Sequence, residues 1–447
     1  MSDLPATGKI ELRFMDHFAG LEALSERLYG LQIKNANGQR LLPEILGGGV
    51  YRVNPGGESQ LTIAYELRLA QVQGVFRDPS KYALTSSLGL QFGFLLLSDV
   101  LPSICCLDKA ECEPIALRLK FQLPEDWQVA TTEPESFGAY DVAKIERAVF
   151  CLGKLRTQTI NVEQMRLHVA LAGDVGLSDV QVNVLVEAIA RQQAAMIGNQ
   201  EQGDFLVTLT PFPVPFTGMR SSALTRGRSI VMMLNPDPDT RRTLALYQKH
   251  LAHEMFHFYL PEAFLPRENF DWFWEGSARY VALLTLNRLR FIGLQEFLDE
   301  IALEYETYAT NSLRKQVSLL AASQGKFANA ASYDLVYRKG TLVVALYDLD
   351  LRLQSEGRTN VMDVLRELYE NYRQRDIGNR EVLATMRKAG KFEKFIRDYV
   401  EGTREIDLPD ILKPYGLKVE TGLGSPRLSV AKNLSVKQNT VLAQLGH

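Results

Sequence analysis

Five consecutive residues, His253-Glu254-Met255-Phe256-His257, restrict this 447-residue chain more than any other stretch. Two imidazoles four positions apart can ligate one metal if the segment is helical, because on a helix they differ by roughly 40° of rotation and one turn of rise. Glu254 then stands roughly 60° from His257. From there it flanks the metal, where a base must be to take a proton from a metal-bound water. Catalytic zinc takes three protein ligands and keeps one position open, so a further element has to bring the third. Glu275, in Trp272-Phe273-Trp274-Glu275-Gly276, is the candidate. Its aromatic neighbours bury the approach, and a buried carboxylate needs a partner such as a metal. The chain has six histidines, and His250 shares the same helix face one turn earlier. With three ligands already supplied, His250 reads as a packing residue or a neighbour of the ligands.

Around this centre the periodicity changes along the chain. Up to about residue 170, apolar residues alternate with polar ones, as in Ile10, Leu12 and Phe14, or Leu61, Ile63, Tyr65, Leu67 and Leu69, or Leu117, Leu119, Phe121 and Leu123. Period two means strands with one buried face. Turn signals such as Asn37-Gly38 and Asn54-Pro55-Gly56-Gly57 separate them, so a β-sandwich-like domain is expected over 1–172, closed by a strand from Val162 to Ala170. Ser178 and Gln181 form a capping-box pattern ahead of a helical stripe. Short apolar strands are expected at Phe205–Leu209 and Ser229–Leu234. Asp237-Pro238-Asp239 opens the helix that carries His253, and Pro261 marks its end. Beyond it, helices are predicted over 272–290, 294–310, 332–354, 360–374, 379–388 and 391–402. Residues 415–419 read as a strand, and 422–426 as a loop. The expected layout is multidomain α+β. It comprises the β domain, a catalytic domain over 173–290, a C-terminal helical bundle over 291–404 that completes the cleft, and a tail over 405–447.

Composition sets the outer limits. A net charge of −3 with both signs mixed excludes a basic nucleic-acid footprint. No run of about 18 apolar residues exists, so no membrane span is predicted. Met1-Ser2-Asp3-Leu4-Pro5 shows no signal-peptide pattern, which reads as cytoplasmic by default, although an exported chain trimmed of its signal would look the same. The cysteines, Cys105, Cys106, Cys112 and Cys151, are too few for a disulfide framework. One bridge from Cys105 or Cys106 to Cys112 is open, with free thiols the simpler reading.

These residues resemble a gluzincin zinc metallopeptidase, most closely the glycyl aminopeptidase family and more distantly the aminopeptidase N family. The resemblance rests on His253-Glu254-Met255-Phe256-His257, on Trp274-Glu275-Gly276-Ser277-Ala278-Arg279-Tyr280, on Tyr337-Arg338-Lys339-Gly340 with the helix after it, and on Leu123-Pro124-Glu125-Asp126-Trp127. It implies a thermolysin-like catalytic domain, zinc held by His253, His257 and Glu275, and Glu254 as general base. It also implies a peptide or protein substrate and Tyr337 as donor to the tetrahedral oxyanion. A neutral phenol suits that role. Tyr333, one helical turn earlier, is the reserve.

The sequence departs from the family in three places. Where relatives carry a glutamate that binds the substrate's free amine, Gly218-Met219-Arg220-Ser221-Ser222-Ala223 has no acid, and Asp334 is another carboxylate that could serve. Seventeen residues, 258–274, separate His257 from Glu275, nearer the aminopeptidase N spacing. About thirty residues follow Gly416, too few for the PDZ domain that relatives often add. An aminopeptidase is therefore the first expectation. A zinc endopeptidase, with Arg220, Arg226 and Arg228 receiving a carboxylate, and a non-hydrolytic binding protein are the alternatives.

Overall fold

The computed structural model describes residues 8–57, 60–69, 79–106, 117–198, 201–213, 216–218, 220–420 and 426–445. The chain divides into two compact units. The first comprises Met1–Ile160, Arg166–Asp179 and Asp204–Thr243, and the second Asn161–Met165, Val180–Gly203 and Leu244–His447.

The first unit is built of strands. One antiparallel sheet runs in the order Glu44–Gly47, Val50–Val53, Ile10–Arg13, Ser103–Cys106, and another in the order Arg40–Leu41, Leu28–Asn35, Leu61–Leu67. Ile10, Leu12, Ile33, Val53 and Leu61 from these two sheets share one apolar core, as the alternating pattern requires. Glu11 is buried on this sheet, where Arg13 and Arg52 neutralise it at 2.7 and 2.9 Å. The Leu117–Leu123 alternation yields a strand only over Leu117–Leu119. The single strand expected over Val162–Ala170 is instead a pair, Arg156–Val162 and Met165–Leu171, with Glu163 between them at φ 51°. That left-handed residue turns the chain, and nothing in a run of alternating apolar residues announces it. The pair extends into Gly203–Pro211, Ser229–Asn235 and Arg220–Arg226, a five-stranded sheet whose hairpin tip belongs to the second unit. Cys105 is disulfide-bonded, which corrects the free-thiol reading for that residue. Cys106 and Cys151 are free, and Cys112 lies outside the described residues, as do Met219 and residues 422–425.

The second unit is helical. Its helices up to residue 388 are α1 (Asp179–Ile197), α2 (Thr240–Phe256), α3 (Asp271–Arg288), α4 (Leu294–Thr310), α5 (Leu319–Gln324), α6 (Ala330–Asp334), α7 (Gly340–Gln354), α8 (Val361–Tyr372) and α9 (Asn379–Lys388), and shorter ones follow, Val436–Ala443 among them. The first residue of α1 and the first four of α2 fall in the first unit. One large core, with Trp272, Tyr280, Leu284, Phe297, Leu342, Leu346, Leu368 and Met386, binds α3, α4, α7, α8 and α9. The tail contributes to it as well. Leu417–Glu420 pairs antiparallel with Arg427–Val430, and Leu417, Leu428 and Val441 are buried in the same core. No helix among the described residues is long and apolar enough to cross a membrane.

Two local features distinguish this helical unit. Between α6 and α7 the chain runs through a π-helical turn, Leu335–Lys339, which inserts Tyr337 into an otherwise continuous helix. Such turns are rare and cluster at functional sites. Further, α3 and α7 touch backbone to backbone. A Cβ on Gly276 would stand 2.5 Å from the carbonyl carbon of Gly340, and one on Gly340 would stand 2.5 Å from the carbonyl oxygen of Trp272. Only glycine admits that approach.

Candidate metal centre

His253, Glu254, His257, Glu275, Tyr333 and Tyr337 all lie in the second unit. α2 carries His253 and Glu254, while His257 sits one residue past its end. There the helix tightens: the N–H groups of His257, Phe258 and Tyr259 donate to the carbonyls of Glu254, Met255 and Phe256 at 3.1, 3.2 and 3.0 Å. These are the i→i+3 bonds of a closing 3₁₀ turn. The same turn places the carbonyl of Leu260 2.8 Å from His257 Nδ1. Nδ1 donates to that carbonyl, which leaves the Nε2 lone pair free for a metal.

Glu275 comes from the first turns of α3, which begins where Asn269 Oδ1 accepts the N–H of Asp271 at 3.0 Å. Trp272 is fully buried and anchors this turn twice, through its N–H to Ser323 Oγ and its indole N–H to Asn379 Oδ1, both at 2.9 Å. The aromatics that flank Glu275 in the sequence thus fix the start of its helix.

The structure brings His253, His257 and Glu275 together, with one donor atom of each within 4.8 Å of the others. His253 Nε2 and His257 Nε2 are 3.2 Å apart, and Glu275 Oε2 lies 3.3 and 3.5 Å from them. A tetrahedron with zinc–ligand distances of 2.0–2.1 Å has edges of about 3.3 Å. The three donors therefore stand near the corners of one face of such a tetrahedron. Glu275 Oε2 is buried without a hydrogen-bond partner, a cost that a cation removes. The donor set of two imidazoles and one carboxylate suits zinc. No other such group of three is present among the described residues.

The electrostatics agree. Burial would raise the Glu275 carboxyl, but Lys326 and the two imidazoles hold it well below the usual carboxylate range. Burial works against a charged His257, yet Glu275 and Glu254 outweigh it and raise that imidazole to about 9. Burial lowers His253. A buried pocket that draws a proton onto a ligand imidazole is one that attracts positive charge, and ligation requires that proton to leave. Glu254 is nearly buried and acts electrostatically on both imidazoles, but it is not one of the three grouped donors.

Tyr337 and Tyr333 are both at the centre. Their rings are 4.5 Å apart, the Tyr337 hydroxyl interacts with Glu275, and the Tyr333 hydroxyl interacts with Tyr337. Burial and then the Glu275 charge push the Tyr337 phenol well above its ordinary value, so it remains a donor at any physiological pH. His250 stands outside the ligand group, and loss of hydration lowers its imidazole to about 3. Arg226 and Arg228 are engaged within the first unit, Arg226 with Ser98 Oγ at 2.8 Å and Arg228 over the Phe205 ring.

Two residues of the centre escaped the sequence reading. Lys326, just past α5, donates to Glu275 Oε1 at 2.9 Å and lies 2.7 Å from Asp271 Oδ2. Burial raises the Asp271 carboxyl to about 6, and its Oδ1 is unpartnered. Asp271 could have been found four positions before Glu275, on the same helix face. A lysine 51 residues away carries no such signal.

No protein-family model matches the chain, and no curated protein matches it in sequence. Solved structures do match in fold. An aminopeptidase N family protein from Idiomarina loihiensis superposes with a TM-score of 0.74 at 16% identity, over 93% of this chain and 75% of that one. An M1 zinc metallopeptidase from Deinococcus radiodurans gives a TM-score of 0.55 at 17% identity, over 90% of this chain and 88% of that one. A variant of the latter, solved with a Tyr-Ser-Ala substrate, gives 0.54 at 16% identity with the same coverage. Of the two families that the sequence resembles, aminopeptidase N is the one these structures represent.

Proposed function

We propose that a chain with the fold of the aminopeptidase N family and M1 zinc metallopeptidases is a zinc peptidase. The observation that carries the reading is the triangle of His253 Nε2, His257 Nε2 and Glu275 Oε2, with sides of 3.2, 3.3 and 3.5 Å and one buried, unpartnered oxygen. Zinc held there supplies a Lewis acid and lowers the pKa of a bound water. Glu254 accepts the proton of the attacking water and returns it to the leaving nitrogen. Tyr337, from the helical segment expected to complete the cleft, donates its hydroxyl proton toward the carbonyl oxygen as negative charge develops there.

Purified protein is expected to hold about one zinc per chain. His253→Ala and His257→Ala should each lose most of it, read by elemental analysis after dialysis. Full zinc retention in both variants would end the site assignment.

Release of single residues from a free N-terminus is the preferred mode. M1 zinc metallopeptidase variants have been solved with L-arginine and with L-tryptophan, and the Deinococcus variant with the tripeptide, which fits an enzyme that removes one residue at a time. The test is a pair of peptides of identical sequence, one with a free and one with an acetylated N-terminus. Acetylation should abolish removal of the first residue. Cleavage of both peptides at the same internal bond would instead establish the endopeptidase alternative.

A further inference from the structure

Two other buried carboxylates of the second unit, Glu304 and Asp348, have both oxygens occupied, whereas Asp271, which shares Lys326 with Glu275, also keeps one oxygen unpartnered. Glu304 receives Arg279 on Oε1 and Arg338 on Oε2. Asp348 receives the N–H of Val361 on Oδ1, and Tyr280 and Arg352 on Oδ2. That is how a structural carboxylate offsets its desolvation. Glu275 differs. Oε1 accepts from Lys326 at 2.9 Å, while Oε2, on the side of the two imidazoles, has no hydrogen-bond partner.

The donor on Oε1 is itself fixed. Lys326 is 7% exposed, its ammonium is tethered by Asp271 Oδ2 at 2.7 Å, and it lies 5.0 and 5.1 Å from the ring centres of Phe327 and Tyr337. Asp271 and Glu275 stand four apart on α3, where like charges repel, and the single ammonium between them removes that repulsion. A point-charge ammonium donates along one line to one oxygen, whereas a guanidinium fork would span both.

From this geometry we infer that Lys326 is a positioning residue: it occupies Glu275 Oε1 so that Oε2 alone faces the metal, and thereby holds the ligand to one oxygen and the centre to four-coordination. Without the ammonium that anchors Oε1, both oxygens can chelate and fill the position that a catalytic metal keeps open. With a forked donor, both oxygens are drawn off the metal.

The inference rests on the zinc reading, and the test separates the two. Metal-free full-length protein is titrated with Co(II) alone, whose visible d–d absorption weakens as its coordination number rises. Wild type should bind one Co(II) with intense, four-coordinate bands. Lys326→Met should bind Co(II) with bands at least two-fold weaker, and Lys326→Arg, which keeps the buried cation, should bind it at least ten-fold less tightly. An ion pair that merely braced α3 would tolerate the arginine and leave the spectrum of the methionine variant unchanged. Wild-type spectra and affinity in both variants would overturn the inference and leave the zinc reading standing. No Co(II) uptake by wild type would overturn both. Should Lys326→Met fail to fold, a wild-type affinity in Lys326→Arg is enough to overturn it.

Discussion

Glu254→Gln is expected to keep zinc at about one per chain and to slow peptide hydrolysis by roughly 10²–10⁴-fold, the span that a general acid–base group contributes. The middle of that span corresponds to about 4 kcal/mol of lost transition-state stabilisation. The two effects separate because Glu254 is not one of the three donors that converge, yet its charge acts on both imidazoles. Glutamine preserves the side chain's volume in a nearly buried position while removing the proton acceptor. Single-turnover rates measured beside elemental zinc would check it. A variant that cleaves at the wild-type rate with zinc in place would remove Glu254 from the chemistry.

The second large effect is expected at Tyr337. Tyr337→Phe should lower kcat by roughly 10²–10³ with KM little changed, the signature of a hydrogen bond made chiefly in the transition state. The ring's packing survives the change, because Tyr333 lies 4.5 Å away and the phenyl group remains. The partnership of the two hydroxyls gives the experiment a control. Tyr333→Phe removes a hydroxyl that bonds to Tyr337 and meets Glu275 only as a nearby charge, and it should cost much less. If Tyr333→Phe proves the more damaging, the donor is Tyr333. If neither matters, the phenols are not in the mechanism.

Much of the centre was legible because its determinants are local. A four-residue spacing commits two histidines to one helix face, and an aromatic run that must be buried commits Glu275 to a buried helix start. The α4 helix, Leu294–Thr310, runs over the residues its periodicity predicted. What could not be read depends on partners distant in sequence or on single backbone angles. His257 falls beyond the regular end of α2, in a turn shaped by Leu260. Glu163 reverses a strand at one left-handed residue. The π-helical turn at Leu335–Lys339 has the apolar spacing of ordinary helix, so 332–354 reads as uninterrupted. Lys326 joins the centre through a tertiary approach that no local pattern encodes.

The contact between Gly276 and Gly340 has a mechanical consequence. Helices separated by side chains can slide and repack, because rotamers absorb small displacements. Here backbone meets backbone one residue from Glu275 and three residues from Tyr337, and no layer of side chains remains to act as a bearing. α3 and the head of α7 are therefore welded, and a rotation that carries one carries the other. Any breathing of this region must hinge elsewhere, with the carboxylate and the phenol travelling as one rigid lever whose arms keep their span.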